Sequence, residues 1–172
     1  RGQGAHPSSP GYLYVRPHMM IRPASLRDLA EMDQVALQAK AYWGYTSRQL
    51  DHWAEDLKTK PETIGAWPTA IAEVNGQVAG FAQLDPTVNP WELVSLWVKP
   101  EFMRRGIGGS LLRHVQAVAR DSGMPEIHID SDPNALPFYL ACGAIEVDAV
   151  AAPIEGQPNR VRPQLRASTS GA

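Results

Sequence analysis

The sequence has one cysteine, no long apolar run and no excess of positive charge, and each shortage removes a class of protein. A lone thiol, Cys142, can neither close an intramolecular disulfide nor supply a cysteine cage for zinc, so the chain reads as one for a reducing, cytoplasmic setting. No stretch approaches the roughly 18 apolar residues of a membrane-spanning helix. The N-terminal RGQGAHPSSPGYLYVRPH also lacks the apolar centre of a secretory signal. Sixteen Lys and Arg against eighteen Asp and Glu leave a formal charge of −2, which argues against nucleic acid or an anionic membrane as partner. The histidines are scattered without a His-Glu-x-x-His spacing, so no metal is expected.

What is present fits a single domain. The 172 residues are 44% hydrophobic and include five Trp, enough for one core. Residues 1–18 read as an N-terminal extension, with Tyr12–Val15 as the one segment that could instead form an arm over a partner subunit in a homodimer. The domain is expected over 19–168, with a short tail at 169–172.

Periodicity predicts the elements within it. Met20–Pro23 is a short strand, and Ser25 with Asp28 opens a helix to about Lys40 whose inward stripe is Leu26, Leu29, Met32, Val35 and Ala36. A second helix is expected from Thr46 to Lys58, with Leu50, Trp53, Ala54 and Leu57 inward. Ile71–Val74 and Gln77–Leu84 flank Asn75-Gly76, the dipeptide of a tight hairpin. Trp91–Val98 is a third strand, Ile107–Ser122 a helix stopped by Gly123, Glu126–Asp130 a strand, Asn134–Ala141 a short helix, and Ala144–Val150 and Val161–Ala167 the last strands. The order βααβββαβαββ implies an α/β fold with a mixed sheet, mostly antiparallel, whose parallel pair is joined through the helix after Trp91–Val98.

Between that strand and helix runs Met103-Arg104-Arg105-Gly106-Ile107-Gly108-Gly109-Ser110. Glycines let a ligand approach the backbone, and first-turn amides with the helix dipole favour an anion such as a phosphate. A dinucleotide fingerprint needs glycine at 111, where Leu111 stands, and a nucleoside-triphosphate loop needs a lysine before Ser110, where Gly109 stands.

The segment resembles the pyrophosphate loop Gln/Arg-x-x-Gly-x-Gly/Ala of the Gcn5-related N-acetyltransferase (GNAT) superfamily, with Met103 in place of the usual Gln or Arg. Asp132-Pro133-Asn134-Ala135, followed by Phe138-Tyr139 and Gly143-Ala144, is similar to the superfamily's later Asn/Ala/Phe-Tyr/Gly motif. The resemblance spans roughly Met20–Val150. It implies a GNAT-like fold of a central mixed sheet, splayed at the cofactor site and flanked by about four helices, and acetyl-CoA as cofactor. It further implies cofactor contacts from Leu96, Trp97 and Val98, from Met103, Arg104, Arg105, Gly106, Ile107, Gly108, Gly109 and Ser110, and from Asn134 and Phe138.

Acetyl transfer to an amine needs a base for the amine proton and an acid for the departing thiolate. By the resemblance Tyr139 is that acid, the other reading being a core aromatic beside Phe138. Glu92 stands eleven residues before Met103, as a strand glutamate does in the histone-acetylating branch. Regular alternation puts it on one face with Val94, Leu96 and Val98, and its other reading is a solvated strand-end carboxylate. His128, Asp130 and Asp132 form an alternative group of bases. Cys142 is read as a small packed residue rather than an acyl carrier. Tyr42, Trp43 and Tyr45 either stack on the acceptor, a small-molecule or peptide amine, or pack internally. A non-catalytic acyl-CoA-binding or regulatory module of the same fold is the alternative function.

Overall fold

The computed structural model describes residues 18–172, so the expectations for 1–17 lie outside the described residues. The expected element order is found: β1 (Met19–Pro23), α1 (Leu29–Tyr42), α2 (Ser47–Trp53), β2 (Thr69–Val74), β3 (Gln77–Asp85), β4 (Trp91–Val98), α3 (Ile107–Asp121), β5 (Glu126–Asp130), α4 (Leu136–Ala141), β6 (Ile145–Ala151) and β7 (Val161–Ser168). The strands form one sheet in the order β1-β2-β3-β4-β5-β7-β6. Every neighbouring pair is antiparallel except β4 with β5. No helix among the described residues is long and apolar enough to cross a membrane.

Asn75 and Gly76 both take positive φ, 50° and 79°, which matches the twist of the flanking strands and closes the β2–β3 hairpin. Helix α3 covers one face of the sheet. Its Ile107, Leu111, Leu112, Val115 and Ala119 bury against Ala70, Ala72, Leu84, Leu93, Ile127 and Leu165. Helix α1 covers the other face, where Met32, Val35 and Ala36 pack on Ile71 and Phe81.

Three expectations change. Leu26 is 62% exposed, because Leu26–Asp28 is a tighter 3-10 turn out of phase with α1. Helix α2 ends at Trp53 instead of Lys58 and buries none of its residues, although its cap at Thr46, bonded by the Gln49 amide at 3.2 Å, forms as read. The C-terminal segment is anchored: Thr169 is buried, its amide bonded to the Pro125 carbonyl at 3.0 Å and its hydroxyl to the Met124 carbonyl at 2.6 Å.

Strand β4 carries the departure with most effect on the site. Gln83 pairs with Ser95 but Leu84 with Leu93, so Val94 is one residue too many, a β-bulge. Leu93 therefore turns into the α3 core alongside Leu96 and Val98, and Val94 is left 41% exposed. Glu92 lies on the face opposite Leu96 and Val98, which corrects the placement read from regular alternation.

Candidate active site

Strand β4 is paired along its β3 side from Glu92 to Val98, but on its β5 side only from Trp91 to Leu93, against Ile127–Ile129. Beyond Leu93 the two parallel strands part. The gap opens a cavity of about 580 Å³ whose wall includes Val94–Val98 of β4, Phe102–Arg104, Gly106–Gly109 and, from the α4 side, Ala135, Phe138 and Tyr139. Backbone amides and carbonyls of β4 with no strand partner on that side can pair with an extended, amide-bearing ligand.

At one end of the cavity lies the glycine loop. Gly106 sits at φ +79° and Arg104 at φ +62°, so the chain turns through the left-handed region twice before α3 begins. Among the described residues, no amide of 104–109 donates to a backbone acceptor, which leaves a concave set of free donors at the start of a 15-residue helix. Space at Gly108 is tight, since a Cβ there would stand 3.2 Å from the Phe138 ring. The set suits a diphosphate. Met103, Arg104, Gly106, Ile107, Gly108, Gly109 and Phe138 contribute to the wall, as do Leu96, Trp97 and Val98. Arg105, Ser110 and Asn134 do not. The Arg105 guanidinium lies over Phe102 at 5.6 Å, Ser110 accepts a bond from Arg113 at 3.3 Å, and Asn134 bonds inward to Tyr45 and Asp132 at 3.1 and 2.9 Å.

Tyr139 is buried, set edge-on to Phe138 at 5.1 Å, and its hydroxyl makes no hydrogen bond to a described protein group. Burial, with Cys142 and Asp132 nearby, pushes its phenol well above the usual range, so it keeps its proton at neutral pH. Cys142, one turn on, is exposed, and partial desolvation pushes its thiol up, which disfavours the thiolate an acyl carrier needs.

The other end of the cavity is formed by Ala39, Tyr42, Trp43, Leu93, Val94, Asp130 and Asp132. Tyr42 and Trp43 are 49% and 38% exposed and meet edge-on at 5.4 Å. Tyr45 is not part of this wall. It is buried, edge-on to Trp53 at 4.8 Å, with its hydroxyl donating to Asp132 at 2.8 Å.

That bond belongs to a cluster sequence reading missed. Asp132 Oδ2 takes the Lys40 ammonium at 2.6 Å and lies 3.6 Å from the Arg160 guanidinium, all three side chains being at least nine-tenths buried. Burial alone pushes the Asp132 carboxyl up, but Lys40, the Asn134 amide and Tyr45 together hold it below the usual carboxylate range. Burial also lowers Lys40, against the pull of Asp132. Asp132 caps the turn before α4 and lies past the end of β5, so it does not continue the strand face of His128 and Asp130. Asp130 is gripped by both ends of Arg162 at 2.8 and 3.0 Å, and Glu92 Oε1 lies 3.5 Å from His128 Nδ1. The only foreshadowing was the bare presence of Lys40, Arg160 and Arg162 at unrelated points in the chain.

The acetyltransferase (GNAT) family model matches residues 27–144, and the chain belongs to that family, whose acyl donor is acetyl-CoA. It is 31% identical over 142 residues to an aminoglycoside N(6')-acetyltransferase type 1 of Stenotrophomonas maltophilia, covering 76% of this chain and 88% of that one. It is 26% identical over 130 residues to the peptidyl-lysine N-acetyltransferase YiaC of Escherichia coli (strain K12), covering 75% and 85%. Among solved structures it superposes on the PaiA N-acetyltransferase of Thermoplasma acidophilum, crystallised with coenzyme A, with a TM-score of 0.74 at 21% identity, over 88% of this chain and 99% of the other.

Proposed function

We propose that the protein transfers the acetyl group of acetyl-CoA to a primary amine by direct attack in a ternary complex, with Glu92 as base and Tyr139 as acid. The observation that carries this reading is the parting of β4 from β5 beyond Leu93, beside a loop whose free amides suit a diphosphate. The donor supplies a thioester carbonyl. The β4 edge and the loop hold its arm and phosphates, while the far end of the cavity admits the amine.

Of the three carboxylates near that end only Asp130 and Asp132 line the cavity, and each is already bonded to a cation, Arg162 and Lys40. Glu92, beside His128, is the remaining one and takes the proton of the attacking amine, directly or through water. The nitrogen bonds to the carbonyl carbon, the carbon–sulfur bond breaks, and Tyr139 gives its proton to the sulfur before solvent returns one. A reducing, cytoplasmic setting suits a thioester-using enzyme with one free thiol.

The test is thiol release from acetyl-CoA across a panel of primary amines. Amine-dependent release in the wild type, lost in Tyr139→Phe while CoA still binds, supports the reading. CoA binding with no release on any amine refutes it in favour of a binding module.

A further inference from the structure

The two ends of the cavity differ in what they leave unsatisfied. The loop end offers free amides. At the far end both carboxylates that line the cavity are already matched: Asp132 by Lys40 at 2.6 Å and Asp130 by Arg162 at 2.8 Å. An acceptor bearing several ammonium groups would lose water on entering without meeting a free carboxylate, and could reach Asp132 only by displacing a buried lysine.

The same end leaves apolar surface open. Tyr42, Trp43 and Val94 are 49%, 38% and 41% exposed, although all three line the cavity. The edge-on meeting of the two rings, 70° between planes, leaves ring faces uncovered. Val94 is turned there by the β4 bulge, and Tyr42 and Trp43 by the end of α1 just before Gly44, whose φ is +83°.

We propose that the acceptor is an amine carrying a flat apolar ring and no second positive charge, its ring held between Tyr42, Trp43 and Val94. The inference rests on the transferase reading of this cavity and names the substrate class for it. Two rings can also attract the single ammonium of such a compound before it loses its proton.

The experiment compares 2-phenylethylamine, propylamine and the aminosugar kanamycin as acceptors with saturating acetyl-CoA. Phenylethylamine is expected to exceed both in kcat/KM by at least tenfold. In Trp43→Ala its advantage over propylamine collapses, while Trp43→Phe retains it; Tyr42→Leu gives an independent reading should Trp43→Ala not fold. A preference for kanamycin, or an advantage unchanged in both ring variants, overturns the proposal. Calorimetry of phenylethylamine with the CoA-loaded protein separates the two readings. Phenylethylamine binding without thiol release on any amine overturns the transferase reading and with it the acceptor role, while the ring site between Tyr42, Trp43 and Val94 stands. Release on other amines with no phenylethylamine binding removes this inference alone.

Discussion

The Lys40 ammonium on α1 lies 2.6 Å from Oδ2 of Asp132, the residue that caps the turn leading into α4, and 92 residues separate the two in sequence. The pair ties the helix whose end carries Tyr42 and Trp43 to the turn before Tyr139. Arg160, just before β7, closes the cluster through Tyr45 at 3.3 Å.

Removing one member of this cluster leaves buried charge uncompensated. Asp132→Ala is expected to cost about 3–5 kcal/mol, read as the urea midpoint. Lys40→Met with Asp132→Asn removes one charge of each sign and restores the cluster's net charge, so the double variant regains much of the loss. A double variant no more stable than Asp132→Ala would show that the pair is not electrostatically coupled.

Acid sensitivity follows from carboxyls held low in the folded state. Arg22 holds Asp28 well below the usual carboxylate range through bonds of 2.8 and 2.9 Å, and Asp132 is held low by its own cluster. A group depressed on folding stabilises above its unfolded pKa, about 4 for Asp, and that contribution is lost as pH falls. The melting temperature is expected to be flat from pH 7 to 5 and to fall below about 4. Asp28→Asn and Asp132→Asn each flatten that fall, and an unchanged acid limb in both variants would contradict the assignment.

Tyr139→Phe removes from a buried ring at the cavity wall a hydroxyl that has no described protein partner, so little stability is at stake. If that hydroxyl protonates the thiolate, kcat drops by roughly 10²-fold or more while the CoA dissociation constant changes less than threefold. Single-turnover thiol release separates this loss from one in binding.

Gly108→Asp sets a carboxylate among donors meant for a diphosphate and crowds the Phe138 ring at 3.2 Å. Wild type should gain about 2.7 kcal/mol from CoA at a hundredfold its dissociation constant, and the variant nothing measurable. Thermal shift with and without CoA reads both. Equal stabilisation in the two proteins would place the phosphates elsewhere.

The strand and helix order was legible because each long element keeps one period: α3 shows its stripe at 107, 111, 112 and 115, and Asn75-Gly76 states its own turn. The loop was legible because its glycines lie together. What escaped depends on contacts between distant residues or on a broken period. Lys40, Asp132 and Arg160 are single charged residues until the fold collects them. Tyr45 looked equivalent to Tyr42 and Trp43, yet it follows Gly44, where the chain turns back toward the core. Glu92 was misplaced because alternation counts residues, and a bulge adds one without any marker in residue type.

That added residue, Val94, is a change of phase along a single rail. From Trp91 to Leu93 and again from Ser95 to Val98 the strand is regular, but the two stretches keep opposite time. Even-numbered residues therefore address one layer of the protein before the bulge and the other layer after it. Deleting Val94 would leave one regular strand in which Glu92 stands three positions from Leu96 and so still on the opposite face; the deletion would remove a side chain from the cavity wall and leave every other β4 residue facing the layer it faces now.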